Sequence, residues 1–330
     1  MKKIILSAAF ALITFCASAA FGDIFSEMYL NYLVMDDDAS TDYPKVWVIG
    51  PSTAGSTQPN LSLSIPTAVT HDGVTYRVTQ IDAKAFSGRT NIVQAFIGYG
   101  ITHIGNEAFK GCSKLVNVRI PSSIQSIGDN AFASCSALKE VNIANDDPST
   151  FTTSASAFPS NSGMTLGVAK TNDLRTVTAF NNLSQYSKFA TIELSSAAYD
   201  FTTDDSFAMC VTKAPSKNVP GEVKLVGVFG NSTGAFAPKA TYTHSVYSYK
   251  LVATGFRSCK DQTQIKSFDF SNATNLKTID CYTFSGCTNL TSVNLGSTVD
   301  QIELYAFENV PISSITIPKS VSYIGYLAFN

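Results

Sequence analysis

Few residues in this chain are of a type that does chemistry, and those few are poorly spaced for it. Six of the seven cysteines follow Cys16. Four of these, Cys112, Cys135, Cys259 and Cys287, read as members of one recurring position. In an exported chain an even count points to disulfides. A position that recurs beside an Ala-Phe pair is more simply a small buried hydrophobe, and a bridge would surprise least at Cys281 with Cys287 or at the off-register Cys210. His71, His103 and His244 are scattered, with no H-x-x-x-H or C-x-x-C spacing to converge on a cation. Asp36, Asp37, Asp38 and Asp42 lack the alternating ligands and closing Glu of a calcium loop and read as a solvated turn. His71-Asp72-Gly73 reads as a hairpin turn. Neither G-x-S-x-G nor G-x-G-x-x-G occurs. The sequence therefore offers no catalytic, cofactor-binding or metal-ligating set.

The elements that would position any site begin behind an export signal. Lys2 and Lys3 precede an apolar run from Ile4 to Phe15 and small residues at Ala17, Ser18, Ala19 and Ala20, the pattern of a secretory signal peptide over residues 1–20. That run is too short to span a bilayer. Cys16 offers a lipid-anchored alternative, against which the bulky Phe15 before it counts. Without Lys2 and Lys3, the 23 basic residues fall to 21 against 25 acidic ones. That balance, with no basic cluster, argues against nucleic acid. The expected mature chain is secreted or at the cell surface, with no membrane span and no cofactor.

A repeat decides the fold. Ile101–Ser123 (ITHIGNEAFKGCSKLVNVRIPSS) runs without a gap into Ile124–Asp146 (IQSIGDNAFASCSALKEVNIAND). Phe86, Phe109 and Phe132 recur at one interval, as do Phe284 and Phe307, with Phe329 one residue closer; Phe256 precedes Phe284 by a longer interval, read as an insertion. Leu115, Val118 and Ile120 define a motif repeated at Leu138, Val141 and Ile143, at Leu290, Val293 and Leu295, and at Ile312, Ile315 and Ile317. The last two members of each are two residues apart and share one side of a short strand. Ile127, Ala131 and Phe132 suit a compact turn facing the same core. No single coil buries its own apolar side, so the coils must stack into a solenoid of parallel strands.

The segments IGNEAFKGC and LVNVRI resemble leucine-rich repeats of the BspA type, specifically across residues 78–145 and 276–330. The resemblance implies a β-rich repeat solenoid of two tandem arrays. It also implies adhesion to host or bacterial protein or glycan, since related proteins are associated with such binding. Each array is expected to follow a β-strand cap: Ile65–Val78 echoes Ala237–Leu251, and Val46–Gly50 echoes Leu225–Gly230. The expected organisation is a cap over 21–77, repeats over 78–145, a C-terminal cap over 146–195, a linker and second cap over 196–251, and repeats over 252–330. The second array is expected to lack a C-terminal cap, because it stops in mid-repeat.

Side chains alternate along a strand, so residues flanking each inward pair point away from the core. That rule predicts an outer row of Gln94, Phe96, Asn117, Arg119, Glu140 and Asn142 in the first array. In the second array it predicts Ser267, Asp269, Ser292, Asn294, Ser314 and Thr316. Phe96 beside Arg119 is the natural anchor for a ligand, unless a cap folds over it.

Overall fold

Val118 pairs in register with Ala95 on one side and Val141 on the other, and all three are fully buried. This ladder is the centre of a six-stranded parallel sheet built from Leu61–Ile65, Ile92–Ile97, Asn117–Ile120, Glu140–Ile143, Thr165–Ala169 and Thr191–Ser195. The structure is a computed structural model describing residues 22–36, 43–170, 175–195, 197–204, 206–230 and 233–330. The signal segment, with Cys16, and residues 37–42 lie outside these.

Each coil returns through a tight turn rather than a helix, and one phenylalanine per coil fills its centre. Phe86, Phe109, Phe132 and Phe158 stack with ring centroids 5.0, 5.1 and 5.4 Å apart. Phe284, Phe307 and Phe329 stack likewise, at 5.2 and 5.1 Å. The Ala157-Phe158 pair thus continues the repeat: the Phe132 amide donates to the Ala157 carbonyl just as that of Phe109 donates to Ala131. The first array then closes with the helix Arg175–Asn181 and the strand Thr191–Ser195.

One coil departs from the expected register. The Cys259 amide donates to the Thr283 carbonyl, where Phe284 donates to Ala306. Cys259, not Phe256, therefore stands in the phenylalanine slot. Cys112, Cys135 and Cys287 do share a position, and their thiols donate to the carbonyls of Phe86, Phe109 and Cys259 at 3.2, 3.1 and 3.0 Å. The space a ring would occupy at Cys259 is taken from the strand side by Phe268, whose ring lies 4.9 Å from that of Phe284. All six cysteines from Cys112 onward are free thiols, and all but Cys281 are buried.

The caps are duplicated in detail. Strands Ile24–Glu27, Leu30–Asp36 and Lys45–Pro51 form an antiparallel meander whose last strand runs parallel to Val74–Ile81. Phe201–Thr202, Phe207–Lys213 and Gly221–Val228 repeat it against Tyr247–Thr254. Val46 faces Val78 and Val223 faces Leu251, so the true echo of Val46–Gly50 begins at Val223, earlier than the sequence match with Leu225–Gly230. His71 stacks on Phe25 at 4.2 Å and His244 on Phe201 at 4.5 Å, so two of the scattered histidines close equivalent caps. Asp72 and Gly73 both have positive φ, as the hairpin turn between Ala68–His71 and Val74–Ile81 requires.

In the second array Ser267–Asp269 and Ser292–Asn294 form strands with Ala235–Phe236, whereas residues 314–317 form no strand and Ile317, expected to share the inward side, is 39% exposed. The arrays are joined by a small shared core of Ala144, Ala169, Ala198, Tyr199, Ala208, Cys210 and Val226.

Candidate functional site

The ladder register brings the predicted outer row onto one face. Gln94 pairs with Asn117 and Asn117 with Glu140, while Phe96 pairs with Arg119 and Arg119 with Asn142. Strand Leu61–Ile65 extends this face, with Ser62 opposite Gln94 and Ser64 opposite Phe96. Inward neighbours Val118, Ile120, Val141 and Ile143 are fully buried, as the inward pairs derived from sequence require.

The six residues differ in availability. Gln94 is exposed and accepts from the Ser62 hydroxyl at 3.4 Å. Glu140 accepts from the amides of Asn117 and Asn142 at 2.7 and 2.8 Å. Asn142, expected to face solvent, is only 1% exposed. Its ladder partner is Gly167, and a Cβ at Gly167 would overlap the Asn142 carbonyl oxygen, so Asn142 lies over a position with no side chain. Among the described residues that side-chain oxygen has no hydrogen-bond partner.

Arg119 is held between two rings. Its guanidinium carbon lies 4.7 Å from the Phe96 centroid and 3.8 Å from that of Tyr199. Burial pulls its pKa down, and Tyr199 and Glu140 oppose that shift. The covering residue over this part of the face therefore comes from the segment that opens the second array, not from the N-terminal cap. Nothing in the repeat pattern marks Tyr199, because its contact spans the two arrays. Phe96 stays half-buried and forms one wall of a cleft of about 390 Å³ with Ser64, Thr67, Arg119, Tyr199 and His244. Burial lowers the His244 pKa, which favours a neutral ring at neutral pH.

Beneath the cleft the arrays are clasped. Asp200, buried, accepts from the Ser122 amide and hydroxyl and from the Val211 amide, at 2.7, 2.7 and 2.6 Å. Among the described residues no three His, Cys, Asp or Glu side chains converge as metal ligands would. None of the described helices is long and apolar enough to cross a membrane.

Stacked parallel coils, most with a central phenylalanine and an inward aliphatic pair, define a leucine-rich repeat solenoid. The chain belongs to the BspA-type leucine-rich repeat family, whose profile matches residues 73–210 and 253–330 in six copies. Among solved structures, a leucine-rich repeat protein from Bacteroides capillosus is 24% identical over 44% of this chain and 97% of its own, with a TM-score of 0.37. One from Bacteroides ovatus is 19% identical over 93% of this chain and 91% of its own, with a TM-score of 0.36. A leucine-rich repeat protein of T. pallidum is 15% identical over 92% and 86%, with a TM-score of 0.29. No curated protein matches the chain.

Proposed function

We propose that this is an exported or cell-surface protein that binds a host or bacterial protein or glycan on the outer strand face of its first array. The observation that carries the reading is the exposed Gln94 beside the half-buried Phe96, which also walls the cleft of about 390 Å³. An aromatic anchor at the lip of a pocket, with hydrogen-bonding groups on the same ladder, is the arrangement that interface hot spots favour. Asn117 and Glu140 supply further polar contacts along the row. The reading assigns the chain no catalytic step.

A second reading, an envelope protein with no specific ligand, is favoured by one observation. Arg119 already engages Tyr199, and Asn142 is buried, so part of the face serves the protein itself.

The two are separated by screening the purified chain against a glycan array and immobilised matrix proteins, then repeating any hit with Gln94→Ala and Phe96→Ala. Binding on the face predicts that Phe96→Ala weakens the hit by over ~1 kcal/mol. Unchanged affinity in the double variant removes this face, and a screen without hits favours the envelope reading.

A further inference from the structure

A second cleft, of about 410 Å³, lies where the end of the first array meets the opening coil of the second. Its cationic residues are Lys170, Arg257 and Lys260; Val177, Ile192 and Leu194 give it an apolar wall, and Glu193 and Asp261 complete the lining. Gly255 explains why the two sides meet so closely. A Cβ at Gly255 would overlap the Lys170 carbonyl oxygen, so only glycine lets the backbones approach, and Arg257 follows two residues later.

The cations of this cleft are not equally satisfied. Lys260 donates to the Ser285 hydroxyl at 3.0 Å and lies 3.7 Å from the largely exposed Asp261 carboxylate. Arg257 lies against the rings of Phe256 and Tyr282 at 5.0 and 5.3 Å, yet its Nε is buried with no acceptor among the described residues. Lys170 is mostly buried, and among the described residues its ammonium has neither a hydrogen bond nor an ion pair. Burial, with the positive charge of Arg257, holds its pKa below that of an ordinary lysine, while Cys259 and Asp261 oppose the shift.

Withdrawing two like charges from water side by side, without acceptors, is unfavourable unless an anion joins them. A guanidinium presents a fork of donors that matches an oxyanion, and an ammonium beside it completes the charge. The apolar wall would cover the rest of a small ligand. We propose that this cleft binds a small organic acid, its oxyanion held between Lys170 and Arg257 and its apolar body against Val177, Ile192 and Leu194.

The test is calorimetric titration of the full chain with benzoate, its neutral analogue benzamide, and inorganic phosphate at constant ionic strength. Saturable benzoate binding is expected, with benzamide weaker by about tenfold or more and Lys170→Gln or Arg257→Gln each weakening benzoate to a similar degree. A second measurement does not depend on the variants folding equally well. After reductive methylation with labelled formaldehyde, the Lys170 signal, assigned by its loss in Lys170→Gln, should move on adding benzoate. The proposal is overturned if benzoate does not saturate, if both variants bind it as the parent chain does, if the Lys170 signal stays fixed, or if phosphate alone binds.

Discussion

Ser122 and Asp200, 78 residues apart, are joined by two hydrogen bonds of 2.7 Å, one from the serine amide and one from its hydroxyl. Burial lifts the Asp200 carboxyl to about 6, although the hydrogen bonds from Val211 and Ser122 act in the opposite direction. A free aspartate titrates near about 3.9. The folded state therefore holds this proton more tightly than the unfolded chain. Its contribution to stability is fully present below about pH 4 and is lost as pH rises through about 6, on the order of 2–3 kcal/mol in all. Urea unfolding of the parent chain and Asp200→Asn between these limits should show the parent losing stability relative to the variant as pH rises. Parallel curves would place the titration elsewhere.

Replacing Val118 with Asp should cost several kcal/mol, because it buries a charge between Ala95 and Val141 with no partner. Thermal melts followed by circular dichroism report the loss. A melting temperature equal to the parent's would contradict the register of this sheet.

The Arg119 and Tyr199 contact should behave as a structural coupling. Arg119→Met and Tyr199→Leu are each expected to lower stability, and a double-mutant cycle should return an interaction of about 0.5–2 kcal/mol. Strict additivity would show that the 3.8 Å approach carries no energy. Binding lost in Arg119 variants must therefore be read beside their melting curves, whereas Phe96→Ala is the cleaner probe of the face.

Cys259→Phe should not be a repair, although it restores the residue type of the slot. Phe268 already fills that space, so the added ring is expected to overpack and destabilise by about 1–3 kcal/mol. Phe109→Ala, which opens a hole between two stacked rings, should cost about 3–5 kcal/mol. Chemical denaturation of both variants checks the pair, and a stabilised Cys259→Phe would show that Phe268 leaves the slot open.

The coils were legible because each must supply its own ring and its own inward pair, so spacing alone locates Phe86, Phe109 and Phe132. Cys259 escaped because its neighbour along the stack, the strand residue Phe268, made up the missing volume, and the nearby Phe256 mimicked the pattern. The interval from Cys259 to Phe284 is the closer fit to the repeat and was the available signal. The outer row followed from alternation, a local rule. Its partial covering did not, because Tyr199 reaches Arg119 only once the two arrays are folded together, and the burial of Asn142 depends on Gly167 lacking a side chain. The roles of His71 and His244 were hidden for a related reason: each stacks on a phenylalanine that is remote in sequence.

The thiol ladder bears on where such a chain can mature. Cys112, Cys135 and Cys287 each find an acceptor one coil earlier, and Cys210 donates to the Ala198 carbonyl at 3.5 Å at the join of the arrays. Each sulfur is thus satisfied in its reduced form, and the coils are held by ring stacking and strand pairing rather than by covalent staples. Among the described residues, acquisition of the native state then consumes no oxidant and needs no disulfide exchange. Its yield should be the same in anaerobic and aerated surroundings, a property that many small exported proteins, built around cystines, do not have.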